Sequence, residues 1–86
     1  MAYNIVYKNS VQRDLKKFSK AEASRIVDQI EKELSEKANT YPVLKGQFAG
    51  LRKYRVGDYR VIFAIIGDDV LILRIGHRRD VYKKEI

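Results

Sequence analysis

The sequence predicts an α+β fold: a four-stranded antiparallel sheet with an N-terminal helical hairpin packed on one face, in the order β-α-α-β-β-β. Three observations lead there. Tyr3, Ile5 and Tyr7 alternate with polar residues, the period of two that marks a strand. Two stretches of helical spacing follow, divided at Ser19. Leu51 to Phe63 then reads as a hairpin and Val70 to Ile75 as a further strand.

In the first helix Val11, Leu15 and Phe18 lie at helical spacing after Ser10, the expected N-cap. Ser19-Lys-Ala-Glu22 fits a capping box, in which the serine side chain satisfies an orphan amide of the next helix. That helix carries Ala23, Ile26, Val27, Ile30 and Leu34 on one face, with Asp28, Glu31, Lys32 and Glu36 elsewhere. Asn39 to Gly50 is a loop with the only proline, Pro42.

Gly57-Asp58 between two strand-like runs matches a two-residue hairpin loop. That register sets Val56 opposite Tyr59, Arg55 opposite Arg60, Tyr54 opposite Val61 and Lys53 opposite Ile62. Because side chains alternate along a strand, Tyr54, Val56, Tyr59, Val61, Phe63 and Ile65 share the face that meets the helices. Lys53, Arg55 and Arg60 share the other face with Ile62. Two directly opposed arginines repel, and such local violations concentrate at functional sites. At Gly67-Asp68-Asp69 a three-residue loop sets Arg74 opposite Ile62, on the basic face, whereas a two-residue loop moves it off.

The 86 residues make one domain, 1–86. With 45% hydrophobic and 34% charged residues the chain has the composition of a folded domain rather than a disordered one. No cysteine is present, which excludes disulfides and cysteine-ligated zinc and fits a cytoplasmic protein. The longest apolar run, Val61 to Ile66, is far too short to span a bilayer, and no secretion signal opens the chain. The net charge of +7 is uneven: residues 1–44 hold eight basic and six acidic side chains, residues 45–86 ten and five. A basic half points to a polyanionic partner. A membrane surface fits less well, because the cations sit on strands rather than on an amphipathic helix.

Six of the eight arginines fall between Arg52 and Arg79. Arginine presents a planar fork of donors that matches phosphate. Cations on one rigid sheet face can hold an RNA backbone or stabilise a phosphorane-like transition state. RNA carries its own nucleophile, the 2′-OH, so a ribonuclease needs only a base, a charge stabiliser and a proton donor. Lys53, His77 and Tyr82 are the candidate proton carriers. No carboxylate cluster with metal-ligand spacing accompanies them, and Asp68-Asp69 reads as a turn former.

The segments Tyr3-Asn-Ile-Val-Tyr7, Val11-Gln-Arg-Asp-Leu-Lys-Lys-Phe18, Leu44-Lys-Gly46, Arg55-Val-Gly-Asp-Tyr-Arg-Val-Ile-Phe63 and Gly76-His-Arg-Arg-Asp-Val-Tyr82 together resemble the RelE/ParE toxin superfamily of toxin–antitoxin systems. The last two are the specific ones. The resemblance implies a RelE-like fold and a ribosome-dependent endoribonuclease that cleaves mRNA in the A site and inhibits translation. It implies no cofactor and no metal. Its partners would be a RelB-like antitoxin wrapping the toxin, the ribosome with its RNA, and mRNA; no membrane, and DNA only through the toxin–antitoxin complex. ParE-like members poison DNA gyrase and generally lack the RelE-type basic and tyrosine set, which this chain retains.

Residue by residue, Arg60 matches the arginine of the family's Tyr-Arg pair, Arg78 the one after Gly-His, and Tyr82 the terminal tyrosine. The basic pair of the preceding strand maps to Lys53 and Arg55, with Arg52 as the alternate. The implied catalytic set is therefore Lys53, Arg55, Arg60, Arg78 and Tyr82. Lys53 or Tyr82 activates the 2′-OH, Arg55 and Arg60 hold the phosphate, and Arg78 stabilises or protonates the leaving oxygen. Arg52, Arg74, His77 and Arg79 are further catalytic or RNA-binding candidates, with His77 the alternate proton carrier. Arg55 stands where some relatives have a second lysine; it keeps the charge but cannot act as a base. The alternatives are a ParE-like gyrase inhibitor without RNA chemistry and an inactive RNA- or antitoxin-binding relative.

Overall fold

Period-two stretches become strands and helically spaced stretches become helices, in the order expected. A computed structural model of the chain describes residues 2–46 and 49–77. It shows β1 (Asn4–Tyr7), α1 (Asn9–Leu15), α2 (Lys20–Lys37), β2 (Arg52–Val56), β3 (Tyr59–Ile66) and β4 (Asp69–His77). A 3₁₀ turn, Ala38–Thr40, follows α2. No helix among the described residues is long and apolar enough to cross a membrane.

The strands lie in the order β1-β4-β3-β2. The purely antiparallel sheet expected from the sequence is corrected at one edge: β1 runs parallel to β4, from Asn4 opposite Asp69 to Tyr7 opposite Ile72. The reason lies in the connections. Each hairpin reverses the chain, so β4 runs in the direction of β2. β1 reaches β2 through helices, the crossover that parallel strands require. The sheet is therefore mixed.

The first hairpin has the predicted register at every pair. Gly57 and Gly67 hold φ of 59° and 61° at the first position of the two turns, where a type II′ turn needs glycine. The second turn is a two-residue loop, with Ile66 opposite Asp69. Arg74 nevertheless lies opposite Ile62, because the register shifts between Ile62 and Phe63. Phe63 pairs with Ile72, so Leu73 is the extra residue of a β-bulge. Loop length and the side taken by Arg74 are thus uncoupled.

α2 covers one face of the sheet. Ile26, Ile30 and Leu34 are fully buried, in one cluster with Val61, Phe63, Val70, Ile72 and Ile75. Ser19 caps α2, its hydroxyl accepting from the Glu22 amide at 3.1 Å. Glu22 does not complete the box; its carboxylate accepts from the Tyr59 hydroxyl at 2.5 Å. Tyr41 likewise donates to Glu33 at 2.5 Å, so tyrosines stitch α2 to the sheet side at both ends. Ser10 is not the cap of α1, a position held by Lys8; its hydroxyl donates instead to the Leu73 carbonyl at 2.8 Å, on the bulge.

Phe63 is fully buried at the centre of this cluster. Phe63→Ala is expected to cost about 3–5 kcal/mol, enough to unfold much of the population of so small a domain. Urea denaturation checks this, and an unmoved midpoint would mean the strand register is off by one.

The stitching tyrosines make stability pH-dependent at the alkaline end. The hydrogen bond to Glu22 raises the Tyr59 pKa, and burial, followed by Glu33, raises that of Tyr41. A raised folded-state value gives stability that is fully present below the unfolded tyrosine value of about 10 and is lost as pH rises through the folded one. Tyr41→Phe and Tyr59→Phe should each flatten the fall in the urea midpoint measured from neutral to strongly alkaline pH.

Candidate functional site: a basic sheet face

The face turned away from α2 carries the cations. Arg55 pairs directly with Arg60, and Ile62 lies between Lys53 on one side and Arg74 on the other. Arg55 is exposed; Lys53 and Arg60 are half-buried. Ile62 is fully buried yet lies outside the main core cluster. Its neighbours on that face are Lys53 and Arg74 across the strands and Arg60 and Ala64 along its own. An apolar residue thus sits among the stems of long cations.

Arg60 Nη1 is out of contact with solvent and has no hydrogen-bond partner among the described residues. A buried donor without an acceptor is costly, and a phosphate oxygen is the acceptor a guanidinium fits best. Among the described residues Lys53, Arg55 and Arg60 make no ion pair; the pair that does form is Arg74 with Asp14.

Arg74 reaches the basic face by register but its charge is neutralised. Its Nε and Nη2 donate to the Asp14 carboxylate at 2.9 and 3.0 Å, and the Ile75 amide donates to the same carboxylate at 2.9 Å. Both side chains are nearly buried, 13% and 6% exposed. Asp14 is the residue that sequence reasoning missed. The signal was present: an acid at helical spacing within the apolar stripe of Val11, Leu15 and Phe18.

Arg52 and His77 lie on the opposite, helix-facing side. Arg52 pairs with Phe63 across the strands, and its Nη1 donates to the carbonyls of Tyr41 at 2.7 Å and Asn39 at 3.4 Å. It holds the segment that follows α2. His77 pairs with Tyr59 and meets that ring edge-on, at 6.2 Å between centroids. Arg78, Arg79 and Tyr82 lie outside the described residues. The expected set therefore has Lys53, Arg55 and Arg60 together on one face, Arg74 beside them but paired, and Arg52 and His77 across the sheet. Such a face can bind a phosphate and disperse its charge. Of the three expected proton carriers, Lys53 is the one placed there among the described residues.

Residues 5–82 match the family described as ParE toxin of type II toxin-antitoxin system, parDE. The chain belongs to this family. It is a type II toxin with the RelE/ParE fold. It is similar to the RelBE2 toxin–antitoxin complex of Mycobacterium tuberculosis, at 27% identity over 91% of this chain and 100% of that one, with a TM-score of 0.80. It is similar to the archaeal RelE–RelB complex of Pyrococcus horikoshii at 25% identity, over 94% and 100% of the chains, with a TM-score of 0.69. The chromosomal ParDE system of P. aeruginosa shares the fold, at 20% identity over 88% and 96%, with a TM-score of 0.69. No protein of curated function matches the sequence.

The geometry sets two unlike outcomes for charge removal in this toxin. Asp14→Ala leaves Arg74 and the Ile75 amide without their acceptor and is expected to cost about 3–5 kcal/mol. Arg55→Gln relieves repulsion with Arg60, so stability should hold within about 0.5 kcal/mol or rise. Denaturant unfolding at low and high salt checks both, with the Arg55 effect shrinking as salt screens the pair.

Proposed function

We propose that this toxin is a ribosome-dependent endoribonuclease that cleaves mRNA in the A site. The observation that carries this reading is the group of Lys53, Arg55 and Arg60 on one rigid sheet face, without a carboxylate partner among the described residues and with Arg60 Nη1 lacking an acceptor. In this reading Lys53 takes the proton of the 2′-OH, whose oxygen attacks the adjacent phosphorus. Arg55 and Arg60 hold the phosphate and the negative charge that grows on it. The bond to the 5′ oxygen breaks, leaving a 2′,3′-cyclic phosphate, and Arg78 stabilises or protonates the departing oxygen. Tyr82 is the alternate activator of the 2′-OH. The helix-side position of His77 argues against its use as a proton carrier.

The toxin would work in the cytoplasm on the ribosome and mRNA, held silent by a RelB-like antitoxin. An acidic antitoxin segment would be steered to the basic face.

One observation favours a second reading. The matching family is that of the ParE toxin, which supports gyrase inhibition without RNA chemistry. An inactive RNA- or antitoxin-binding relative is the third. In vitro translation with primer extension, run beside a gyrase supercoiling assay, separates them: new 5′ ends on the message support the endoribonuclease, lost supercoiling the inhibitor, and ribosome binding with intact message the inactive relative.

Arg60→Ala and Arg78→Ala are each expected to relieve growth arrest on expression of the toxin, with the melting temperature of the Arg60 variant nearly unchanged. Full toxicity in both variants would rule out the site.

A further inference from the structure

Gly76 is a glycine that the backbone does not require. Among the described residues Gly46, Gly50, Gly57 and Gly67 hold a positive φ, and Gly76 does not. It sits inside β4, paired with Arg60, at a kind of position where glycine weakens a strand. The neighbouring outward positions carry larger side chains: Arg55 and Arg60 in its own row, Lys53, Ile62 and Arg74 in the next. Gly76 therefore leaves a bare position in a face of bulky groups.

Two guanidiniums flank that position. Arg60 stands across the ladder, its Nη1 buried and without a partner among the described residues. Arg74 precedes Gly76 by two residues and so shares its face. Asp14 takes Arg74 Nε and Nη2, which leaves Nη1 outside the pair. The same carboxylate takes the Ile75 amide, one residue before Gly76. One group on α1 thus fixes both the guanidinium and the strand that carries it. The pairing cancels the charge of Arg74 but not its remaining donors. A guanidinium held along one edge presents the other at a set angle, which preorganises an oxyanion site. Glycine in a strand interior lets a ligand approach the backbone closely.

We propose that Gly76 is the floor of a second phosphate subsite, walled by Arg60 and Arg74, which takes a phosphate of the RNA strand next to the one being cleaved. Asp14 is its positioning residue. The proposal rests on the endoribonuclease reading, in which Lys53, Arg55 and Arg60 face the scissile phosphate. β2 and β4 lie on opposite sides of β3, so Arg60 stands between the two subsites and bridges successive phosphates.

The test is fluorescence anisotropy of the full chain on a short single-stranded RNA, 2′-O-methylated so that it resists cleavage, across a salt series. Gly76→Ala places a methyl on the floor without touching the Asp14–Arg74 pair. It should keep or raise the urea midpoint, weaken RNA binding about tenfold, and reduce the salt slope by about 0.7, the share of one phosphate on a single strand. Gly76→Val should weaken binding further. Ala64→Val, which adds bulk on the outer face away from the cations, should leave affinity and slope unchanged. On the ribosome, messages carrying a neutral methylphosphonate on either side of the scissile position locate the subsite. One of them should slow wild-type cleavage about tenfold and slow Gly76→Ala no further.

Unchanged affinity and salt slope in Gly76→Ala overturn the proposal, as does a wild type that binds no RNA. So does a lowered urea midpoint, which makes Gly76 a packing glycine, or loss of antitoxin binding with RNA binding intact. A wild type that binds RNA and cleaves no message defeats the endoribonuclease reading alone, because affinity and slope still judge the subsite.

Discussion

Everything in this molecule hangs on the register of β3 between two glycine-led turns. β3 pairs on both sides, and Val61, Ile62 and Phe63 are all fully buried in succession. Because side chains alternate, a slip of one residue would put Phe63 outside and Arg60 against α2. The helix face and the basic face are therefore one constraint seen from two sides. Burial of Val61 and Phe63 beneath α2 is what holds Arg60 outward, opposite Arg55, at a pairing that is unfavourable by itself.

The second constraint is the joint at the bulge. Leu73 is inserted, and Arg74 swings to the outer face beside Ile62. α1 covers the part of β4 that β1 leaves unpaired: Ser10 takes the Leu73 carbonyl and Asp14 the Ile75 amide. Edge-strand groups that would otherwise lack partners are satisfied by side chains. The same carboxylate neutralises Arg74, so among the described residues the outer face presents Lys53, Arg55 and Arg60 as its unneutralised cations. Folding and charge placement are settled by one aspartate.

Much of this was legible in the chain. The Gly57-Asp58 turn and the alternation around it specify the first hairpin pair by pair, and with it Lys53, Arg55 and Arg60 on one face. The same parity puts Arg52 with Tyr54 and Val56, on the helix side, where it serves the segment after α2 instead of the basic face. The bulge was not legible, since neither Leu73 nor its neighbours is a residue type that demands one, and the side of Arg74 depended on it. The parallel β1 was hidden because strand direction follows from the crossover and not from local pattern. Asp14 was visible as an acid in an apolar stripe, but its partner is sixty residues away in sequence.

The central claim is that the outer face serves attack by a 2′-OH on its own phosphate. The most direct measurement programs ribosomes with two messages, one all-ribose and one bearing a single 2′-deoxy residue at the scissile position, and adds the wild-type toxin. The account predicts cleavage of the first, ending in a 2′,3′-cyclic phosphate, and none of the second at that position. Equal cleavage of both, or two intact messages, would contradict it.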